Sequence, residues 1–278
     1  MEIFVTGGTG FIGNHFIRRA IAAGHTVTAL YRKESNVRIP LSSPSSWLGK
    51  PIPEISESDL QGHNVLVHLA AHSANVPYDC LSECLRWNVY EPAKLFEKAA
   101  RAGIKRFIVA GTGFEYGKSG ERYEFIPVTA PLEPTQTYPI SKAAASIAFA
   151  GLAREIKVEM LIGRIFQVYG EGELETRLWP SLRAKALSGS DLDMSPGEQV
   201  RDFIPVEDVA AYFAHAIDRA DLVAARPLIE NVGTGRPQTV RAFAEYWWKE
   251  WKAKGQLRIG TLPYRDNEVM RYVPQLQL

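Results

Sequence analysis

A tyrosine and a lysine four residues apart, in the segment YPISK at residues 138–142, could do chemistry together. Tyr138 and Lys142 would share one face of a helix, since residues at i and i+4 are neighbours on a helix surface. An ammonium beside a phenol favours the phenolate and lowers a pKa that is about 10 in free tyrosine. Such a phenol can move a proton at an alcohol oxygen near neutral pH. Because this spacing also arises by chance, other segments must supply the reaction partner.

The glycine-rich segment VTGGTGFIG, residues 5–13, supplies such a partner. Its glycines fit GxxGxxG at Gly7, Gly10 and Gly13, and GxGxxG when Gly8 replaces Gly7. Glycines at this turn let a pyrophosphate approach the backbone, and the N-terminus of the following helix faces the phosphate charge. The segment, with Phe11 and Ile12 inside it, predicts a dinucleotide-binding turn. A purely structural turn is the alternative.

The end of the second predicted strand indicates which dinucleotide is expected. The strand HTVTAL, residues 25–30, is followed by Tyr31, Arg32 and Lys33. Proteins that bind NAD usually place an acidic residue here to hold the ribose hydroxyls, whereas a cation suits the 2′-phosphate of NADP. The sequence therefore favours NADP. NAD is the alternative if the two cations are only solvated loop charges.

A nicotinamide cofactor gives the Tyr138 and Lys142 pair a reaction. The phenol would pass a proton to or from an alcohol oxygen while hydride moves to or from the nicotinamide. Pro139 falls in the first turn of the predicted helix, where proline is tolerated. Thr112 ends the predicted strand RFIVAGT (106–112), and parallel sheets bind ligands at the carboxyl ends of their strands. Thr112 is therefore the candidate to bind the same oxygen.

Alternating strands and helices must position these residues. The predicted strands are EIFVT (2–6), HTVTAL (25–30), NVLVHLAA (64–71), RFIVAGT (106–112) and EMLIGRIFQVYG (159–170), the last of which runs into a loop. Helical patterns cover 14–23, 82–102, 141–155 and about 176–188, and the Pro- and Ser-rich segment 37–58 is predicted as loop. The alternation predicts an α/β fold, a Rossmann-type doubly wound parallel sheet.

The chain is predicted to divide into two parts. Residues 1–165 and 201–235 would form the dinucleotide-binding Rossmann domain, and residues 166–200 and 236–278 a smaller substrate-binding domain. The tryptophans of AEYWWKEW (244–251) are expected to dock a helix on the core rather than to form a ligand cage.

Composition and charge exclude several classes of protein. A net charge of +1 gives no electrostatic case for binding nucleic acid or a membrane. No apolar run reaches the length of about 18 residues that a membrane span needs, and the N-terminus lacks a signal-peptide pattern. Cys80 and Cys84, the two cysteines, fit reduced structural thiols in a cytoplasmic protein. A metal site that adds His68 and His72 is the alternative, and no metal is expected.

Taken together, these segments resemble the extended short-chain dehydrogenase/reductase family, in the branch of nucleotide-sugar epimerases, dehydratases and reductases. The matching segments, which span nearly the whole chain, are TGGTGFIG (6–13), VLVHLAA (65–71), AGTGFEYG (110–117), YPISK (138–142), RIFQVYG (164–170), RDFIPVEDVA (201–210) and NVGTG (231–235). The resemblance implies an NAD(P)-dependent oxidoreductase with Thr112, Tyr138 and Lys142 as catalytic residues. It also implies a nucleotide-sugar substrate and a homodimer paired through helices that flank the sheet.

The resemblance assigns further cofactor and substrate contacts. Besides the glycine-rich turn, Tyr31 and Arg32, the cofactor would contact Leu69, Ala70, Ala71, Asn88, Tyr138 and Lys142. Arg201 would meet the substrate diphosphate, because a guanidinium gives paired, charge-assisted bonds. A salt bridge from Arg201 to Asp202 or Glu207 is the alternative.

Other substrate contacts are expected near the ends of the strands. Ser73 and Asn75 follow the third strand and would touch sugar hydroxyls, and Gln167 stands where relatives commonly have an asparagine that contacts the substrate. Arg177 and Arg183 are weaker candidates, because arginines on a helix surface are usually only solvated. His68 is interpreted as a packed structural histidine, and Glu115 as a helix-capping or surface residue.

Departures from the family pattern narrow the activity. Dehydratases of the family carry Thr-Asp-Glu, whereas Gly113 and Phe114 follow Thr112 here, so dehydration is not expected. The leading hypothesis is an NADP(H)-dependent 4-ketoreductase acting on a nucleotide-linked 4-keto-6-deoxy sugar, with Tyr138 as the proton donor. The alternative is an NAD-dependent nucleotide-sugar epimerase. A non-catalytic dinucleotide sensor is a third hypothesis, although such proteins tend to lose the Tyr/Lys pair.

Overall fold

The computed structural model of the chain describes residues 1–32, 39–40, 46–264 and 268–277. Its strands are β1 (Glu2–Thr6), β2 (Thr26–Leu30), β3 (Ser46–Leu48), β4 (Val65–His68), β5 (Arg106–Thr112), β6 (Glu159–Ile165), β7 (Gln167–Tyr169), β8 (Leu192–Met194), β9 (Val200–Pro205), β10 (Leu228–Val232), β11 (Pro237–Thr239), β12 (Leu257–Ile259) and β13 (Arg271–Tyr272). Its helices are α1 (Phe11–Ala22), α2 (Glu57–Leu60), α3 (Leu81–Leu85), α4 (Glu91–Arg101), α5 (Thr137–Glu155), α6 (Leu178–Ser188), α7 (Val206–His215) and α8 (Val240–Glu250). None of these helices is long and apolar enough to cross a membrane.

Seven parallel strands form the central sheet, in the order β10-β6-β5-β4-β1-β2-β3. The chain moves outward in one direction from β1 to β3 and in the other from β4 to β10. The carboxyl ends of β1 and β4 therefore border the crevice where doubly wound sheets bind their ligands. The predicted α/β fold with a Rossmann-type doubly wound sheet is confirmed.

Both faces of this sheet are covered, which explains why its strands read as continuous apolar runs rather than alternating ones. Ile3 and Val5 of β1 point to one side and pack with Phe16 of α1 and Phe213 of α7. Phe4, between them, points to the opposite side. That side also holds Phe96 of α4, Phe107 of β5 and Phe149 of α5.

The smaller part of the chain is built on two short sheets. Strands β7, β9, β11 and β13 form one, and β8 pairs with β12 in the other. Helices α6 and α8 pack an aromatic cluster against them, in which Phe203 and Phe243 stack with ring centroids 3.9 Å apart. Trp247 and Trp251 of the α8 segment belong to this cluster. The tryptophans therefore dock the helix, as predicted.

Two local predictions from the sequence are wrong in detail. The segment 37–58, predicted as loop, contains β3, which is the edge strand of the large sheet, and its last two residues begin α2. The segment 159–170, predicted as a strand that runs into a loop, forms two strands: β6 lies in the large sheet, and β7, in the part predicted as loop, pairs with β9 in the smaller one. The local sequence carries no signal for such a change of sheet.

The predicted domain division differs from the strand pairing at one point. Residues 201–205 were expected in the dinucleotide-binding domain, whereas β9 (Val200–Pro205) pairs within the smaller sheet. Helix α7, which packs on α1, and β10, which pairs with β6, do join the large sheet. The division into a cofactor part and a substrate part stays a prediction.

Candidate active site

The glycine-rich turn lies between β1 and α1, at the crevice. A Cβ atom on Gly7, whose φ is +78°, would lie 2.5 Å from the Ala70 nitrogen, and one on Gly13 would lie 2.1 Å from the Gly7 oxygen. These two glycines therefore let β1, the end of β4 and α1 approach closely. A Cβ on Gly10 would have one neighbour within 4 Å, the Gly7 oxygen, at a distance of 3.1 Å. The open side of Gly10 fits a close-approaching pyrophosphate.

Neighbouring residues support this turn. Phe11 and Ile12 begin α1, and the Leu69 N–H, just after β4, donates to the Thr6 carbonyl at 3.0 Å. Asn14, which is fully buried, donates from its side-chain amide to the Gly8 carbonyl at 2.7 Å. The role of Asn14 in supporting the turn was not predicted from the sequence. Its position as a polar residue on the apolar face of a predicted helix could have indicated that role.

The residues after β2 carry no carboxylate at the described positions. Tyr31 lies edge-on to Trp47, with ring centroids 6.2 Å apart, and Arg32 is exposed. Lys33 lies outside the described residues. Arg32 is thus free of the core at the position where a cofactor's adenosine ribose is expected.

The Tyr138 and Lys142 pair lies on the buried face of α5. The two side chains are 8% and 3% exposed. The Lys142 ammonium donates to the Ala110 carbonyl of β5 at 2.8 Å, two residues before Thr112. Thr112 ends β5, and its hydroxyl accepts the Phe114 N–H at 3.3 Å. The lysine contact therefore joins the α5 face to the carboxyl end of β5, as the predicted chemistry requires.

The protein by itself shifts the pKa values of this pair against ionisation. Burial raises the pKa of Tyr138, Glu115 and Tyr78 raise it further, and the nearby Arg177 guanidinium opposes them. Burial lowers the pKa of Lys142, and Glu115 opposes that shift. The groups of the protein by themselves therefore do not lower the Tyr138 pKa, and the lowering expected from Lys142 together with the positive nicotinamide of a bound oxidised cofactor stays a prediction. At neutral pH the phenol carries its proton.

Asn88 joins two parts of the site. It lies in the π-helical turn Arg86–Tyr90 between α3 and α4, a kind of turn that is frequent at functional sites. Its amide oxygen accepts the His72 N–H at 2.7 Å, and its amide nitrogen donates to the His72 carbonyl and the Ser141 hydroxyl. Asn88 thus fixes the loop after β4 to α5. Its predicted contact with the cofactor stays a prediction.

The predicted sugar contacts follow β4 in the same loop. Ser73 adopts a φ of +60°, and its hydroxyl accepts the Asp79 N–H at 2.7 Å. Asn75 is half-buried and Ala71 is exposed. The loop therefore presents polar groups beside Tyr78, whose ring lies 5.5 Å from that of Tyr138.

Arg201 forms a salt bridge, but with neither expected partner. Its guanidinium donates to Glu268 at 2.8 Å and to two backbone carbonyls. Asp202 instead accepts the N–H groups of Thr234 and Gly235. Glu207 also has a different partner, since it lies 3.8 Å from the His15 ring. The long sequence separation between Arg201 and Glu268 explains why the sequence did not indicate this pair.

A small cleft lies between Arg201 and the segment that follows β5. Gly113, Phe114 and Gln167 line this cleft with Arg201. The space in this cleft is about 10 Å³, roughly that of one water molecule, so it does not hold a diphosphate, and the contact of Arg201 with the substrate diphosphate stays a prediction. Gln167 is half-buried, as a contact residue at such a position would be.

Arg177, a weaker candidate from the sequence, lies close to Tyr138. It is close enough to lower the pKa of Tyr138, and its Nε lies 3.5 Å from Glu173. The Glu173 side chain is 5% exposed, and burial raises its pKa to about 7. Arg183 is exposed on α6. Glu173 was missed because a loop glutamate carries no sign of burial in the sequence.

The two histidines near the end of β4, His68 and His72, have different partners and do not form a common site. His68 is buried, its Nδ1 lies 2.7 Å from the Thr6 hydroxyl, and burial lowers its pKa to about 3. His72 pairs with Asp79 at 2.9 Å. Within the described ranges, no three His, Cys, Asp or Glu side chains converge as metal ligands. His68 is a packed structural residue, as interpreted from the sequence.

Glu115 is completely buried, so its interpretation as a surface residue is wrong. Its carboxylate accepts the Thr112 N–H at 2.9 Å, which completes the predicted helix cap. It also forms a salt bridge of 2.9 Å with Arg164, which is equally buried. The capping role of this glutamate was predicted without its ion-pair partner, because Arg164 comes from a strand that is distant in the sequence.

Comparison with known proteins identifies the family of this site. The sequence model of the NAD dependent epimerase/dehydratase family matches residues 3–233. The chain belongs to this family. It is therefore an enzyme, an NAD(P)-dependent oxidoreductase of the short-chain dehydrogenase/reductase type. The resemblance drawn from the motifs is confirmed.

The names of individual relatives describe enzymes that act on nucleotide sugars. The chain is 26% identical to CDP-abequose synthase of Salmonella muenchen, over 97% of this chain and 87% of that protein. It is 24% identical to dTDP-6-deoxy-L-talose 4-dehydrogenase (NAD(+)) of Aggregatibacter actinomycetemcomitans, over 97% and 98%. The solved structure of an NAD-dependent NDP-hexosamine 5,6-dehydratase of tunicamycin biosynthesis is 30% identical. It covers 99% of this chain and 89% of its own, with a TM-score of 0.85.

Proposed function

We propose that the chain is an NADP(H)-dependent 4-ketoreductase that acts on a nucleotide-linked 4-keto-6-deoxy sugar. The observation that carries the proposal is the buried Tyr138, which keeps its proton at neutral pH beside the end of β5. A protonated phenol is the form that reduction of a ketone consumes. A relative named as a 4-dehydrogenase of a 6-deoxy sugar nucleotide covers nearly the same length and supports the position on the sugar.

The residues of the chain divide the reaction between them. When bound, NADPH supplies hydride to the keto carbon. Tyr138 donates its proton to the keto oxygen, and the Thr112 hydroxyl binds that oxygen while its charge develops. Lys142, held by the Ala110 carbonyl, binds the nicotinamide ribose and supports the phenolate that remains. Because the Tyr138 pKa is raised, reduction is insensitive to pH near neutrality and slows only as the pH rises through that pKa.

The preference for NADP rests on Arg32. This exposed cation follows β2 where NAD-binding proteins usually place a carboxylate. Arg32→Ala should reduce the preference for NADPH, expressed as the Kd for NADH divided by the Kd for NADPH, about tenfold. The reason is that one charge-assisted contact with the 2′-phosphate is lost. Fluorescence titration of both reduced cofactors measures it, with exposed Arg183→Ala as the control. An unchanged preference contradicts the assignment.

The substrate and assembly follow the same reasoning. Arg177 and Arg201 would meet the diphosphate, and Ser73, Asn75 and Gln167 the sugar. The exposed Tyr90 and Ile147, on the helices that flank the sheet, support a homodimer through that face. We further propose a cytoplasmic location, in line with the two free cysteines.

An NAD-dependent nucleotide-sugar epimerase is the second candidate. The family description names epimerases and NAD, and the Arg177 charge favours the phenolate that oxidation of a hydroxyl would need. Such an enzyme keeps its NAD through turnover, whereas a reductase exchanges its cofactor after each cycle. The state of the cofactor in the purified protein therefore separates the two candidates.

The deciding experiment identifies the nucleotide released when purified protein is denatured. The reductase predicts a chain that loses its cofactor on purification and prefers NADPH on titration. It also predicts NADPH oxidation with dTDP-, CDP- or UDP-linked 4-keto-6-deoxy sugars. NAD recovered at one per chain, with interconversion of sugar epimers, would contradict it and support the epimerase. A product lighter by one water would overturn the expectation that this chain does not dehydrate its substrate.

A further inference from the structure

The buried Glu115 carboxylate lies directly beneath the end of β5. One of its oxygens accepts the Thr112 N–H at 2.9 Å. A Cβ on Gly111 would lie 2.8 Å from that oxygen, so the glycine leaves the space that the carboxylate fills. The backbone of the predicted oxygen-binding residue is thus held by a charge with no exposure to solvent.

The other Glu115 oxygen reaches the helix that carries the proton donor. It accepts the Ser146 hydroxyl at 2.7 Å. Ser146 follows Tyr138 and Lys142 at successive spacings of four, so the three side chains share one face of α5. Glu115 therefore ties the end of β5 to the same helix face that presents Tyr138.

A buried chain of hydrogen bonds fixes Glu115 from behind. Arg164 of β6 donates from Nε to the carboxylate at 2.9 Å and from Nη1 to the Tyr116 hydroxyl at 2.9 Å. Tyr116 donates to Asn231 at 2.6 Å, and the Asn231 amide donates to the Ile126 carbonyl at 2.8 Å. Because every one of these groups is partnered, the carboxylate has one arrangement rather than several.

The charge of Glu115 also reaches the catalytic pair. The titratable groups that affect Tyr138 come from several elements: Glu115 after β5, Tyr78 after β4, Arg177 before α6 and Cys84 on α3. Burial has the largest effect, and Glu115 comes next. Burial raises the pKa of the Cys84 thiol, so it is neutral at neutral pH, whereas Glu115 and Arg177 carry opposite charges that act on Tyr138.

We propose that Glu115, held by Arg164, is a positioning residue that sets the relative placement of Thr112 and Tyr138 and keeps a negative charge near the phenol. The role rests on the proposed function for its chemical meaning. The contacts that carry it are independent of which sugar or nucleotide the enzyme uses. Glu115→Gln keeps the shape and removes the charge, whereas Ser146→Ala keeps the charge and removes the tie to α5.

The test follows the titration of Tyr138 itself. Tyrosinate absorbance is measured against pH in NAD-saturated protein, and the same titration of the matching Tyr138→Phe protein is subtracted. Glu115→Gln should lower the Tyr138 midpoint by about one pH unit, because a nearby negative charge is lost. Ser146→Ala should leave the midpoint in place, and so should the matched control Glu121→Gln, an exposed glutamate in the same region.

The outcomes separate positioning from simple support of the fold. A Glu115→Gln protein that binds NAD but titrates at the wild-type midpoint overturns the proposal. Where the Tyr138 midpoint lies above the pH range in which the protein stays folded, the variants are compared by turnover, and an unchanged kcat in Ser146→Ala overturns the proposal. If Glu115→Gln does not fold because Arg164 is left unpaired, the double variant Glu115→Gln/Arg164→Gln is measured and must show the same downward shift.

Turnover adds a second, separate readout. With a substrate identified, Ser146→Ala should lower kcat about tenfold and leave KM within about twofold, since the tie affects the alignment of reacting groups rather than binding. An unchanged kcat contradicts the positioning role. The titration needs no substrate, so failure of the proposed 4-ketoreductase activity alone leaves the test of Glu115 intact.

Discussion

The two ends of the candidate site differ in how their charges are held. Beneath the predicted catalytic residues, Glu115 and Arg164 are buried and pair with each other. On the substrate side, Arg201 and Glu268 are partly exposed, and Arg177 is more exposed still. A buried pair fixes geometry because breaking it leaves an uncompensated charge, whereas an exposed pair exchanges readily with solvent or ligand. We therefore expect the buried pair to hold the predicted catalytic residues more firmly than Arg201 and Glu268 hold the predicted substrate side.

Tyr138→Phe tests the predicted catalytic end and should have the largest effect on rate. Removing the only proposed proton donor should lower kcat by about 10³-fold, within the range for general acid catalysis. Cofactor affinity should stay within about twofold, because the ring remains. Steady-state turnover and NADPH titration measure both quantities. Substantial residual turnover would move the proton-donor role to another residue.

Arg164→Met compares the buried pair with an exposed one. Leaving Glu115 buried without its partner should cost about 3–5 kcal/mol in the free energy of unfolding. The control is Arg241→Met, which breaks an exposed pair with Glu245 and should cost within about 0.5 kcal/mol. Urea unfolding of both variants gives the difference. Equal losses would mean that the site beneath Thr112 is not specially constrained.

Arg201→Ala tests the predicted substrate side. Loss of a diphosphate contact should raise KM about tenfold and leave kcat within about threefold, because the contact is made equally in the ground and transition states. Arg183→Ala, an exposed arginine on α6, is the matched control and should change neither constant. A fall in kcat with an unchanged KM would place Arg201 among groups that align the reaction.

Glu173 should give the smallest effect, a pH dependence of stability on the substrate side. Burial raises its pKa to about 7, so the folded protein binds a proton that the unfolded chain releases near pH 4.5. Stability from this group is therefore greatest at low pH and is lost as the pH rises from about 4.5 to 7. Glu173→Gln should flatten that part of a Tm-versus-pH curve. An identical slope in both proteins would place the titration elsewhere.

Particular residues show which features of the fold and the site could be predicted from the sequence. The glycines at 7, 10 and 13, and the spacing of Tyr138 and Lys142, depend on local backbone geometry, so their motifs predicted the turn, the helix face and the family. The same holds for the strand alternation that predicted the parallel sheet. The change of sheet at Phe166 was not predictable, because β7 pairs with β9, a strand that is distant in the sequence.

The sequence by itself determined the residue types of the reaction centre and the order of the elements that carry them. Only the tertiary structure decided their partners. Glu115 became a buried ion pair because β6 brings Arg164 beneath it, and Arg201 met Glu268 from 67 residues further along the chain. Burial then raised the Tyr138 pKa. Long-range pairing and desolvation depend on how distant segments pack, and no local pattern of residues encodes them.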